Sequence, residues 1–171
     1  MLASITAHGQ IPCENGMAGE FPCENIDLVA FMALDELGGG EANDIWGWVD
    51  PVDSTEYVIM GRTNGTAFVN ISDPLNPFLV ADVPTETTSS LWRDVKVYAN
   101  HAFIVSEAGG HGMQVVDLTQ LGGIPNPPVT LQPNAVYTGF GNAHNIVINP
   151  EIGRAYGVGT DTFAGGLHIV D

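Results

Sequence analysis

One pattern constrains the fold of this chain more than any other feature: three strand-like runs recur three times in the same order. The easiest run to recognise starts with a glycine, continues through mostly apolar residues, and carries Asp or Asn at or near its end. It occupies residues 65–71, 112–118 and 166–171, so the leading glycines lie 47 and 54 residues apart. A period of this length is typical of repeat architectures, in which each repeat is one supersecondary unit.

Two further runs precede each glycine at nearly constant spacing. The middle runs are residues 57–61, 101–106 and 154–159, and the first runs are residues 43–48, 93–98 and 144–149. The step from the second residue of the first run to the glycine is 21, 18 and 21 residues. Turn-forming residues such as Asn100 and Pro150 fall between the first and middle runs, where hairpins require them. Each repeat is therefore predicted to be an antiparallel meander.

A fourth, outer strand is predicted at residues 78–83 and, in the second repeat, at residues 129–131. The predicted fold is all-β, made of β-propeller blades that are four-stranded antiparallel repeats, with about three blades present and the ring incomplete. A β-sandwich has a similar density of strands, but it does not require the same strand order to recur.

The predicted organisation is a lead-in over residues 1–40 and propeller repeats over 41–171, at about 41–86, 87–138 and 139–171, the last truncated. Within the lead-in, residues 26–37 suit either a short helix or a strand entering the first blade. The glycine triplet at 38–40 is predicted to be a hinge.

The charge balance narrows the class of partner. Only 4 Lys+Arg stand against 20 Asp+Glu, which gives a formal net charge of −16. Proteins that bind nucleic acid by neutralising phosphates need clustered basic residues, so no nucleic-acid partner is expected. The same shortage argues against binding to anionic membrane surfaces. No apolar run approaches the roughly 20 residues of a membrane span, so none is expected.

The two cysteines lie inside a duplicated phrase, Pro-Cys-Glu-Asn, at Cys13 and Cys23. The short separation favours a local disulfide, which would indicate an oxidising compartment. Free thiols stay open as the alternative, whereas a zinc site lacks enough further ligands. Residues 1–10 have neither the basic nor the apolar region of a signal peptide, so we expect a removed leader or a fragment boundary.

Several of these phrases resemble a known family. The phrases at 112–117 and 166–171 (Gly-Met-Gln-Val-Val-Asp and Gly-Leu-His-Ile-Val-Asp) resemble the LVIVD repeat of bacterial surface β-propellers. Residues 43–48, 90–97 and 111–115, together with the cysteine-containing lead-in, are similar to the choice-of-anchor B family. The resemblance implies an exported, extracellular or cell-surface propeller whose relatives carry varied C-terminal anchors. It supplies no catalytic residue.

The third repeat stops at Asp171, before a fourth strand or an anchor. A strand edge and a sheet face left open in this way favour association. We therefore expect either a homo-oligomer whose copies complete one another or a fragment of a longer chain.

One set of side chains recurs at the start of the first run and predicts a cation site. Asp44, Asp94 and Asn145 hold equivalent positions, and His144 precedes the last of them. The innermost strands of a propeller line its channel, and oxygen atoms from several blades suit Ca²⁺. His144 would better suit a transition metal. The alternative is that these side chains cap turns and tie neighbouring blades together through backbone hydrogen bonds.

A catalytic role is less well supported. Glu107 and His111 lie in a predicted loop, and His144 follows in the next repeat, but no nucleophile, zinc-protease or phosphate-loop motif accompanies them. No catalytic residue is therefore assigned. Trp46, Trp48 and Trp92 are either a stacking platform for sugars or packing between sheets.

The function these features favour is a binding or scaffold module with an unidentified protein or glycan partner. The alternatives are a metal-dependent hydrolase with its site at the channel mouth and a self-assembling structural subunit.

Overall fold

The computed structural model describes residues 10–171, and its regular structure is almost entirely β-strand. The strands are β1 (Met17–Ala18), β2 (Phe21–Pro22), β3 (Ala42–Val49), β4 (Glu56–Arg62), β5 (Gly65–Asn70), β6 (Phe78–Pro84), β7 (Arg93–Tyr98), β8 (His101–Ser106), β9 (Met113–Asp117), β10 (Val129–Thr130), β11 (Ala135–Tyr137), β12 (Asn145–Asn149), β13 (Arg154–Val158) and β14 (His168–Val170). Two 3₁₀ helices span Leu118–Leu121 and Phe163–Gly165. Neither has the length or apolar character to cross a membrane, and no other helix occurs in residues 10–171.

Three antiparallel sheets follow one another along the chain. The first sheet is β3-β4-β5-β6 with β10 added in parallel at its β6 edge, the second is β7-β8-β9-β11, and the third is β12-β13-β14. Strands β1 and β2 pair in a separate small sheet. All three predicted runs of every repeat are confirmed as strands, with bounds that differ by a residue or two. Within residues 10–171, no sheet closes on itself. The predicted all-β class is therefore confirmed, as is the antiparallel order within each repeat.

The sheets pack through two apolar cores, and their first strands lie together. Strand β7 contacts both β3 and β12, so the beginnings of the three repeats meet. Between the first and second sheets, Ile59, Phe68 and Ile104 are fully buried. Between the second and third sheets, Phe140 and Ile146 form the centre of a smaller core. These alternating apolar residues bury one face of each sheet on its neighbour.

The prediction that residues 129–131 form the outer strand of the second repeat is wrong. Strand β10 instead pairs in parallel with β6 of the first sheet, and the Leu131 N–H donates to the Asp82 carbonyl at 2.8 Å. The fourth strand of the second sheet is β11. The physical reason lies in the preceding 3₁₀ helix, which buries Leu118 and Leu121 in the core between the first two sheets. The chain therefore passes along the edge of the first sheet before it returns.

The described part of the lead-in is stabilised by a disulfide, the short β1-β2 pair and two isolated bridges. The predicted bond between Cys13 and Cys23 is confirmed, with the two Cα atoms 5.9 Å apart. Residues 26–37 form neither the predicted helix nor a strand; Leu28 makes one isolated bridge to Ile11, and a turn follows at residues 34–38. Leu37 is buried. The part of the predicted 1–40 lead-in at residues 1–9 lies outside the described residues.

Candidate functional site

The residues predicted as a cation site meet where β3, β7 and β12 begin. Asp44 Oδ2 accepts a hydrogen bond from the Val95 N–H at 2.9 Å. Asp94 Oδ2 accepts one from the Ile146 N–H at 2.7 Å and another from the Asn145 side chain at 3.2 Å. Val95 and Ile146 occupy the same position in their repeats, so one bond is made twice. These side chains therefore join each sheet to the next through backbone hydrogen bonds. This is the structural role that the sequence offered as the alternative to a cation site.

Lys96 places an ammonium group between the two carboxylates. Its Nζ contacts Asp94 Oδ1 and lies 4.0 Å from Asp44 Oδ2. The same atom lies 4.5 Å from the centroid of the Trp46 ring. The positive charge that a bound cation would bring is therefore supplied by the chain itself. A metal at Asp44 and Asp94 would have to displace Lys96.

The two carboxyl groups differ in their protonation equilibria. Burial raises the pKa of Asp44, and its hydrogen bond with the Asp94 carboxyl raises it further. Burial also raises the pKa of Asp94, but hydrogen bonds from Lys96 and from the Ile146 N–H outweigh it and leave that pKa lowered. Asp94 is therefore the charged partner of Lys96, and its ionised form is stabilised by folding.

His144 does not join the Asp44–Asp94 pair. Its Nδ1 lies 2.5 Å from Glu107 Oε1, and its ring centroid lies 6.1 Å from that of Trp92. His144 and Asn145 line an open cleft of about 160 Å³, whose other walls are Asn43, Asp44, Trp92 and Arg93. Asp94 does not line the cleft and is almost fully buried.

Within residues 10–171, no group of three or more His, Cys, Asp or Glu side chains is arranged to hold a metal ion. Calcium binding at Asp44, Asp94 and Asn145, with His144 nearby, stays a prediction.

A buried basic pair was missed by the sequence analysis. Arg93 is 2% exposed; its Nε donates to the Arg62 carbonyl at 2.6 Å and its Nη1 to His111 Nε2 at 2.9 Å. Because Nε2 accepts from a guanidinium, the His111 proton lies on Nδ1, which donates to the Gly112 carbonyl at 3.1 Å. Burial, aided by the charge of Arg62, lowers the pKa of Arg93 to about 10. The scarcity of basic residues was the available signal, since two of the four, Arg62 and Arg93, are buried.

The glycine triplet at 38–40 wraps a second buried guanidinium instead of forming a free hinge. Arg62 is 1% exposed, and its Nη1 donates to the Gly39 carbonyl at 2.9 Å. Its Nη2 pairs with the Asp82 carboxylate. Gly38 has φ +95°, and a Cβ there would lie 2.9 Å from Arg62 Nη1. Only glycine suits this backbone conformation and this approach.

The three tryptophans have separate roles. Trp48 is buried and stacks on Tyr57, with ring centroids 5.4 Å apart, so it is packing. Trp46 lies beneath the Lys96 ammonium. Trp92 is 48% exposed and borders the cleft beside His144. Of the predicted stacking platform, only Trp92 faces a cleft with polar groups around it.

Comparison of the chain with models of protein families, with curated proteins and with solved structures finds no match.

Proposed function

We propose that this chain is a β-propeller module of the exported LVIVD-repeat, choice-of-anchor B kind, and that it acts as a binding and scaffold domain. The observation that carries the proposal is the repeated bond from Asp44 to Val95 and from Asp94 to Ile146. A propeller sets meander sheets around an axis with their first strands adjacent. The same hydrogen bond joins the first sheet to the second and the second sheet to the third. This supports the proposal that successive sheets are related in the same way, as the blades of a propeller are.

The disulfide between Cys13 and Cys23 supports an extracellular or cell-surface location, because such bonds persist in oxidising compartments. The low content of basic residues fits the same proposal. It leaves the chain with a net charge of −16, and a high net charge favours solubility outside the cell.

The ligand we propose for the cleft is a carbohydrate. A sugar ring has an apolar face that suits an exposed aromatic side chain, and hydroxyl groups that need polar partners. Trp92 offers the aromatic face. His144 Nε2 and Asn145 Oδ1 make no hydrogen bond to any group in the described part of the chain. At about 160 Å³ the cleft is smaller than the roughly 300 Å³ of a drug-sized site, so one ring is the expected occupant.

Replacing Trp92 with alanine is expected to weaken saccharide binding by about tenfold or more, because the stacking surface is lost. Titration calorimetry against a panel of neutral sugars, guided by a glycan array, measures this. Trp46→Ala is the matched control, since Trp46 is similarly exposed but does not line the cleft. Absence of saccharide binding by the wild-type chain, or equal losses in both variants, would contradict the carbohydrate proposal.

Calcium binding at the same strand ends is tested by removing the internal cation. Lys96→Met vacates the position beside Asp94 and leaves its carboxylate without a counter-charge. If these oxygens bind Ca²⁺, excess Ca²⁺ will raise the Tm of this variant more than that of the wild type, by mass action. If the melting curves with Ca²⁺ and with chelator are superimposable in both proteins, the prediction of a calcium site here is wrong. The same result would also argue against a metal-dependent hydrolase with its site at this position.

A further inference from the structure

We propose that Asn15 is a site of spontaneous deamidation, in which its side-chain amide is lost as ammonia and an aspartate or isoaspartate replaces it. The reaction is fastest where the next residue leaves the backbone nitrogen open to approach, and glycine does so because it has no side chain. The chain has two such pairs, Asn15–Gly16 and Asn64–Gly65. The structure exposes the first pair and protects the second. This inference goes beyond the proposed function and does not depend on it.

The reaction balances with water as its co-reactant. The backbone nitrogen of Gly16 attacks Cγ of the Asn15 side chain and a nitrogen–carbon bond forms. The amide proton of Gly16 leaves with the side-chain amino group as ammonia, so the product is a succinimide ring. Water then adds to one of the two ring carbonyls and breaks its bond to nitrogen. Opening at Cγ gives aspartate, and opening at the main-chain carbonyl gives isoaspartate.

Asn15 lies in a tight hairpin turn between Glu14 and Met17. These two residues exchange both of their backbone hydrogen bonds, at 2.9 and 3.0 Å. Asn15 has φ +54° and Gly16 has φ +82°, which is the left-handed pair of a two-residue hairpin turn. Both residues are exposed, and a Cβ at Gly16 would meet no atom within 4 Å. The attacking nitrogen is therefore open to its surroundings.

Neither reacting group of this pair is held by a hydrogen bond within residues 10–171. The N–H of Gly16 donates to no backbone acceptor there, and the Asn15 side chain has no partner. The polar bonds beside the turn are made by Asp27 instead, which accepts from the Gln10 side chain and the Cys13 N–H. Cγ of Asn15 can therefore reach the nitrogen once the turn opens, and a small opening of this kind leaves the sheets intact.

Asn64 differs from Asn15 in each of these respects. Its Oδ1 accepts from Arg62 Nη1 at 3.0 Å, and its Nδ2 donates to the Gly38 carbonyl at 3.1 Å. Gly65 is buried in β5 between β4 and β6, and a Cβ there would lie 2.5 Å from the Val83 carbonyl oxygen. Attack at this pair would require the side-chain bonds to break and part of the first sheet to open.

The duplicated phrase supplies a second comparison inside the chain. Asn25 ends the second copy of Pro-Cys-Glu-Asn, is exposed like Asn15, and has a similar φ of +57°. It is followed by Ile26 instead of glycine. The branched side chain of isoleucine crowds the backbone nitrogen that would attack. We therefore expect Asn25 to keep its amide while Asn15 loses it.

Conversion changes the turn in charge and in length. It adds a carboxylate beside Glu14 in a chain whose formal net charge is already −16. Isoaspartate also places one extra carbon in the main chain, which disrupts the turn that pairs Glu14 with Met17. The disulfide between Cys13 and Cys23 still closes the loop. Asn15 is therefore a position at which the lead-in is modified irreversibly with time.

Peptide mapping by mass spectrometry tests the inference on the whole, disulfide-bonded chain incubated in mildly alkaline buffer. We expect Asn15 to be converted at least about tenfold faster than Asn64 or Asn25, which corresponds to a difference of about 1.4 kcal/mol in the barrier. In urea that unfolds the chain, Asn64 should become as fast as Asn15, because the two dipeptides are identical. Asn25 should stay slow under both conditions.

Two variants at one position separate the effect of the following residue from that of the fold. Ile26 is 73% exposed, so Ile26→Gly leaves the packing unchanged and should convert Asn25 into a second fast site. Ile26→Val keeps the branched side chain and is the matched control that should stay slow. An intact Asn15 in the folded chain, equal rates at Asn15 and Asn64 before unfolding, or no conversion of Asn25 in Ile26→Gly would each overturn the proposal.

Discussion

Replacing Asp94 with alanine will lower the free energy of unfolding by about 3 kcal/mol or more. The Asp94 carboxylate accepts from the Ile146 N–H, from Asn145 and from Lys96, and its side chain is 6% exposed. Hydrogen bonds to a charged group contribute about 1.5–3 kcal/mol each, and removing one partner of a buried pair leaves the other without compensation. The junction between the second and third sheets therefore depends on this side chain.

Urea unfolding of the variant measures the effect, and two variants serve as controls. Asp44→Ala removes the same bond at the other junction, where the carboxyl is 30% exposed and accepts from Val95, and a loss of about 1 kcal/mol is expected. Asp94→Asn keeps an acceptor for the Ile146 N–H but loses the charge, so it should fall between the other two. If Asp44→Ala and Asp94→Ala lose equal free energy of unfolding, the deeper burial of Asp94 and its contact with Lys96 contribute nothing to stability.

Acidification from about pH 7 to about pH 5 will destabilise the chain through His111. Burial lowers the pKa of His111, the charge of Arg93 lowers it further, and the Gly112 carbonyl and Glu86 oppose the shift only in part. Protonation would place a second N–H against the Arg93 guanidinium, where Nε2 now accepts at 2.9 Å. Because the folded pKa is depressed, this stability is complete above the unfolded value of about 6.5 and is lost as the pH falls through the folded pKa.

The His111→Gln variant isolates this contribution. Glutamine keeps an oxygen acceptor for Arg93 but does not titrate in this range, so the fall in the urea midpoint toward pH 5 should be smaller than in the wild type. His101→Gln, at a histidine that is only partly buried, is the matched control and should keep the wild-type slope. Parallel pH profiles for wild type and His111→Gln would assign the acid sensitivity to other groups.

The strands and their order follow from the sequence because the signals are local. Alternation of apolar residues, glycines at the run starts and turn residues between runs all act within a few positions. The run at 101–106 became β8 with the same bounds, and the run at 93–98 became β7. The local cysteine pair behaves in the same way, since its two partners are only ten residues apart. The repeat also identified Asp44, Asp94 and Asn145 as equivalent positions.

The hydrogen bonds of those residues are set by contacts between distant parts of the chain. The Asp94 carboxylate accepts from the N–H of Ile146, 52 residues away, and pairs with the Lys96 ammonium, and neither contact can be read from the local pattern. The course of residues 129–131 depends on where Leu118 and Leu121 find a core, which strand propensity does not encode. A sequence pattern specifies which face of a strand is buried, but the partner that covers that face, and the polar groups sealed in with it, are fixed only when the sheets pack.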